Sequence, residues 1–147
     1  MMAATYHLSG WRRLLNTLVK TLLRMRLAPR HTYLLTVPGR RSGTPYSTPV
    51  TLVEEGPHRW LVAPYGEVGW VRNARAADQV TLSRGRHAET VMIVELGPEE
   101  AAPVLQQYVT AIPITRPFFD TTPTSPLDAF IAEAPRHPVF RIHGVSP

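Results

Sequence analysis

TYLLTVPGRRSGTPYSTP, residues 32–49, reads as an apolar strand, a basic turn and a second strand. Tyr33, Leu34, Leu35, Thr36 and Val37 form the aliphatic, aromatic and β-branched run that suits a pleated, half-buried surface, and Pro38 and Gly39 bound it. Gly39 and Gly43 permit positive φ, so the turn between them can take a tight path. Arg40, Arg41 and Ser42 lie between the two glycines. Two fixed positive charges, a hydroxyl and turn amides aimed at one point make an anion site. The same residues also suit a solvated hairpin tip whose arginines serve solubility, and spacing alone does not separate the two readings.

Downstream, the second strand, about 47–54, carries Pro49, which marks an edge, a bulge or a place where a ligand meets unpaired backbone. A third strand, 58–63, stops at Pro64, Tyr65 and Gly66. A short helix over 69–76 puts Trp70 and Asn73 on one face and Arg72 and Arg75 on another. Strands at 79–83 and 86–96 follow. Residues 91–94 are apolar at every position and are expected to be buried on both sides. Pro98, Glu99 and Glu100 open a helix with a stripe of Val104, Leu105, Tyr108, Val109 and Ile112, and Pro103 is expected to break or bend its early part. Residues 113–127 are rich in Pro and Thr, and Phe118 and Phe119 suggest a packed lid. A helix at 127–134 and a strand at 139–143 complete the pattern.

Upstream, Ser9 is an N-cap candidate for a helix over 10–27. Trp11, Leu14, Leu15, Leu18, Leu22 and Met25 form its stripe, with Arg13, Lys20 and Arg24 opposite. Packing of the stripe on the domain core is the favoured reading. Peripheral contact with an anionic membrane is the alternative. The whole chain is read as one domain: the helix at 1–28, barrel strands with the short helix over 30–96, and C-terminal helices, lid loop and last strand over 97–147. Short turns between successive strands imply antiparallel pairing, and the economical solution is an α+β fold, a small, partly open antiparallel barrel with flanking helices.

Composition narrows the chemistry. With 147 residues, 44% of them hydrophobic, the chain can build a real core. Fifteen prolines favour short strands and shaped loops over a helical bundle. The absence of cysteine excludes disulfides and thiolate metal sites. A formal charge of +5 suits nucleic acid, an anionic membrane surface or an anionic small molecule. Arginines are not interleaved with aromatics along a surface strand, so nucleic acid is not the expected partner. No apolar run reaches the ~18 residues of a spanning helix, and no secretory leader is read, so the expected compartment is the cytoplasm. His7, His31, His58, His87, His137 and His143 are read as lacking His or carboxylate partners at helical metal-ligand spacing, and no metal site is expected. No G-x-S-x-G elbow, Walker loop or G-x-G-x-x-G turn occurs. What remains is a basic turn suited to phosphate, apolar strands, and a Tyr, a Trp and an Asn in one segment. That describes a ligand anionic at one end and flat and apolar at the other.

PGRRSGTPYSTP resembles the G-R-[RK]-[ST]-G-x-P-R-x-x-P signature of the deazaflavin (coenzyme F420)-dependent nitroreductase family. VAPYGEVGWVRNARAADQVTL is similar to that family's next block, a strand end leading into a Trp-x-x-Asn helix, and APRHPVFRI is similar to the C-terminus of many members. The resemblance spans roughly residues 33–142. It implies a split β-barrel of the FMN-binding type and coenzyme F420, an 8-hydroxy-5-deazaflavin joined through a phosphodiester to an oligoglutamate tail. FMN is the alternative cofactor. By the motif match, Arg40, Arg41 and Ser42, with Gly43, bind phosphate and tail. Pro49, Val50, Ala63, Pro64 and Tyr65 line the deazaflavin, and Trp70 and Asn73 close the pocket near the phosphate arm. Tyr46 stands where the family usually has Arg, and Arg72 is a candidate to replace that contact. The implied reaction is hydride transfer from reduced F420 to an enone, quinone or nitro compound. Tyr65 is either the catalytic hydrogen-bond or proton donor or a wall residue. A non-catalytic carrier of the flavin or deazaflavin and a membrane-peripheral quinone reductase are the alternative functions, and a homodimer is a further expectation.

Overall fold

The structure, a computed structural model, describes residues 31–144. The expected helix at 10–27, its stripe and its membrane contact lie outside these residues. In chain order come β1 (Thr32–Pro38), β2 (Pro45–Glu55), β3 (His58–Val62), α1 (Gly69–Ala77), β4 (Gln79–Arg84), β5 (His87–Glu95), α2 (Pro98–Ala111), a 3₁₀ turn (Pro113–Phe118), α3 (Leu127–Glu133), a second 3₁₀ turn (Ala134–Arg136) and β6 (Val139–Gly144).

The six strands form a closed barrel in the order β1-β2-β3-β6-β5-β4, every pair antiparallel. The barrel is therefore not partly open. β4 returns to β1 through Leu34↔Ser83, Leu35↔Leu82 and Thr36↔Thr81, and β6 fills the gap between β3 and β5. Consecutive hairpins could not reveal this closure, because the strand that completes it comes from the end of the chain.

Alternation along each strand sends one face inward. Leu35, Val37, Leu52, Leu61, Val80, Leu82, Val91, Ile93, Phe140 and Ile142 fill the interior, and Val71 and Ala74 of α1 plug one end. A second apolar layer joins the outer face of the barrel, at Val53, Val62 and Val139, to Val104, Leu105 and Val109 of α2 and Phe130 of α3. Residues 91–94 differ from the expectation. Val91 and Ile93 are buried, but Met92 and Val94 are 45% and 52% exposed. The helix α2 packs on β2, β3 and β6, and among the described residues no helix covers the outer face of β5. The helix α2 also runs unbroken through Pro103. The proline removes one bond near the helix start, to Glu99, and its side chain faces solvent.

One feature of the pairing positions the site. β3 meets β2 only from Leu52↔Leu61 to Glu55↔His58, while β1 follows β2 along Pro45 to Thr51. Among the described residues, the part of β2 that bears Pro49 therefore has a strand on one side only.

Candidate functional site

A cleft of about 780 Å³ opens where β3 leaves β2. Its floor is the outer face of β2, with Ser47, Pro49 and Thr51. Tyr65 and Pro64 at the end of β3 form one wall, with Trp70 at the start of α1, and Tyr108 and Ile112 from the end of α2 form the other. The basic turn closes one end through Arg40, Arg41 and Ser42. Among the described residues no carboxylate lines the cleft to cancel the field of the two arginines locally.

The turn is held by bonds within itself and two to Asn73. Gly39 N–H donates to the Thr44 carbonyl (2.8 Å), and Gly43 N–H to the Gly39 carbonyl (2.9 Å). Thr44 N–H donates to Ser42 Oγ (3.2 Å), which leaves the serine hydroxyl proton free to donate to a ligand. Asn73, 7% exposed on α1, accepts from both the Arg40 amide (3.1 Å) and its Nη1 (2.8 Å) through Oδ1. Asn73 thus clamps the turn and aims the Arg40 guanidinium. Among the described residues, Arg41 forms no ion pair. Glycine is required at both ends of the turn, for different reasons. Gly43 has φ +75, whereas a Cβ on Gly39 would lie 2.8 Å from Tyr46 Cε2 and 3.1 Å from the Thr44 carbonyl oxygen.

Of the residues singled out from sequence, Arg40, Arg41, Ser42, Pro49, Val50, Pro64, Tyr65, Trp70 and Asn73 come together around this cleft. Two do not line it. Ala63 is 1% exposed and points into the barrel by strand alternation, and its amide donates to the Pro138 carbonyl (2.9 Å). Gly43 shapes the turn from outside the cleft. Arg72 is exposed on α1 and is not among the residues that line the cleft, whereas Tyr46 is.

Sequence reading missed the far wall. Tyr108 looks like any apolar member of a helical stripe, and only packing brings it, with Thr115 and Ile114, over the cleft. Burial, and then the nearby Tyr65, push its phenol pKa up, so it is a neutral hydroxyl at any working pH. The expected lid also divides. Phe119 is buried, 3.9 Å from the His137 ring in a stacked pair, while Phe118 packs edge-on against Tyr65 at 4.5 Å.

Nor is His137 isolated. It lies four residues after Glu133, a spacing hidden because Pro135 interrupts the helix between them. Its Nε2 is 3.0 Å from Glu133 Oε2, and its Nδ1 is 2.9 Å from the Pro64 carbonyl. Glu133 also accepts from Thr121 N–H (2.9 Å), Thr121 O–H (2.6 Å) and Asp120 N–H (2.7 Å). Burial opposes ionisation of Glu133, but these donors outweigh it and hold the carboxyl below its usual range. Among the described residues no third ligand joins the pair to make a metal site.

Comparison with known proteins agrees with the geometry. A family model, F420H(2)-dependent quinone reductase, matches residues 12–118. The solved structure of an F420-H2 dependent reductase (FDR-A) is 25% identical, with a TM-score of 0.53, over 78% of this chain and 95% of that one. A domain-swapped dimer is 20% identical, with a TM-score of 0.58, over 91% of this chain and 100% of that one. HutZ, the heme storage protein from Vibrio cholerae, is 12% identical, with a TM-score of 0.57, over 87% and 90%. The last two speak for the split-barrel fold alone. None of the curated proteins matches the chain. With its split barrel and a family model covering most of its length, the chain belongs to the F420H(2)-dependent quinone reductase family and is an F420H2-dependent reductase whose cofactor is coenzyme F420.

Proposed function

We propose that the cleft holds reduced coenzyme F420 and an electron-poor small molecule, an enone, quinone or nitro compound, which leaves as its two-electron-reduced product. The observation that carries this reading is the polarity of the cleft: two arginines, Arg40 held by Asn73, and a serine hydroxyl at one end, and beyond them a wall with a phenol and, among the described residues, no acid. The residues fit the group. A cleft of about 780 Å³ is within the usual range for cofactor sites. The turn suits the phosphodiester and glutamates, and Pro49, Val50 and Trp70 offer apolar surface to a flat ring.

In this reading Arg40, Arg41 and Ser42 bind phosphate and tail, and Asn73 holds the turn in place. When bound, the reduced deazaflavin supplies the hydride. The Tyr65 O–H bonds the acceptor's oxygen and delivers the proton, and the phenolate regains a proton from water at the cleft mouth. Tyr108 and Ile112 bound the acceptor on the opposite side. A second copy of the chain is a further expected partner, supported by the domain-swapped relative.

The test is a binding titration with F420 beside FMN at two salt concentrations, then anaerobic oxidation of F420H2 with an acceptor panel. Salt-sensitive binding of F420 in preference to FMN, with turnover of a quinone, enone or nitro compound, is expected. Binding without turnover of any acceptor in the panel would refute the substrate class.

A further inference from the structure

We propose that His137 is a positioning residue for this reduction, holding the wall that presents Tyr65 to the acceptor through its bond to the Pro64 carbonyl and its stack on Phe119. The inference rests on the role of Tyr65 proposed above.

The loop that carries Tyr65 is seated on the segment around His137 residue by residue. Ala63 N–H donates to the Pro138 carbonyl (2.9 Å), and His137 Nδ1 donates to the Pro64 carbonyl (2.9 Å). Gly66, at φ +88, packs beside the same segment: a Cβ there would be in ordinary contact, 3.4 Å, with the Arg136 carbonyl oxygen. On the other side of Tyr65, Phe118 meets its ring at 4.5 Å and 75°. The adjacent Phe119 stacks on the His137 ring at 3.9 Å and 19°. Two of the supports around Tyr65, the Pro64 carbonyl and the Phe118–Phe119 pair, therefore lead to one imidazole.

That imidazole is itself fixed. Its Nδ1 faces a carbonyl, which can only accept, so Nδ1 carries a proton. Its Nε2 is tied to Glu133, which is anchored by Thr121 and Asp120. His137 and Glu133 are 3% and 2% exposed. Apolar side chains would fill this space without desolvating a carboxylate, so burial by itself does not account for the pair. What a hydrogen-bonded ring adds is direction, and here the direction is toward Pro64.

Two substitutions separate positioning from packing. The side-chain amide of His137→Asn overlays Nδ1 and can still donate to Pro64, whereas that of His137→Gln reaches toward Glu133 and loses Pro64. Thermal stability is expected to fall similarly in both. His137→Gln should lower kcat about tenfold, the size of one lost hydrogen bond, with F420 Kd unchanged because the arginine turn is remote. His137→Asn should recover most of kcat. Amide hydrogen exchange of residues 63–66 should rise in His137→Gln and much less in His137→Asn, whether or not an acceptor is turned over. That readout stands if the proposed reaction fails. Equal loss of kcat in both variants, or exchange that follows Tm and not the Pro64 bond, would overturn the proposal. Should His137→Gln fail to fold, Phe119→Leu removes the stack alone. It must then lower kcat at constant F420 Kd, and an unchanged kcat would also overturn the proposal.

Discussion

Asn73→Ala offers a sharp test of how the basic turn works. The substitution removes one oxygen, Oδ1, that accepts from Arg40 N–H at 3.1 Å and Arg40 Nη1 at 2.8 Å. A neutral bond of this kind contributes about 1 kcal/mol and a charge-assisted one about 1.5, less where water can take over. The turn should lose about 1.5–2.5 kcal/mol of preorganisation, or roughly 10- to 70-fold in cofactor Kd. Alanine improves helix propensity by about 0.5 kcal/mol in α1, so Tm should change far less than Kd. The assay is a fluorescence titration with F420 at low and high salt, with Arg40→Ala as comparison. Asn73→Ala should weaken binding with the salt slope intact, because both arginines remain. Arg40→Ala should weaken binding and flatten the slope. A Kd for Asn73→Ala within twofold of the unsubstituted protein, beside a weakened Arg40→Ala, would refute the clamp.

Tyr65→Phe should lower kcat with a good acceptor about 100-fold at unchanged F420 Kd, and unchanged turnover would remove Tyr65 from the reaction. Gly39→Ala should weaken F420 binding, because its Cβ meets Tyr46 and the Thr44 backbone; adding Tyr46→Ala should restore only part, since the Thr44 carbonyl cannot move away. Stability should also fall in acid. Hydrogen bonds hold Glu133 below its ordinary carboxyl range against the opposing effect of burial. The unfolded chain therefore binds this proton first as pH falls. The contribution is complete well above about pH 4.5 and is lost progressively as pH falls through and below it. A melting series from pH 8 to 4 checks this, and a Tm that rises on acidification would contradict it. Glu133→Gln should remove the part lost near pH 4.5.

Much of the site was legible because its chemistry is local. Gly39 to Gly43 places two arginines and a serine on one tight turn whatever the rest of the chain does, and Trp70 and Asn73 share a face because three residues of helix bring them together. Alternation likewise made β1 and β2 readable as neighbours, and Pro49 marked the edge where the cleft opens. Other features depend on contacts between distant residues. Asn73, expected to close the pocket, lines the cleft and also bonds a turn 33 positions away, because α1 docks against the end of β1. Tyr108 is buried in the core as its helical stripe predicts, and only the packing of the end of α2 makes it line the cleft as well. The partnership of His137 with Pro64 spans 73 residues, and the exposure of Met92 and Val94 depends on which face of the barrel the described helices pack against. Sequence alone determined which groups could bind an anion and where strands begin and end, since those follow from residue type and short-range geometry. Tertiary structure decided closure of the barrel by β6, the far wall of the cleft and the support behind Tyr65, since each requires segments that only packing brings into reach.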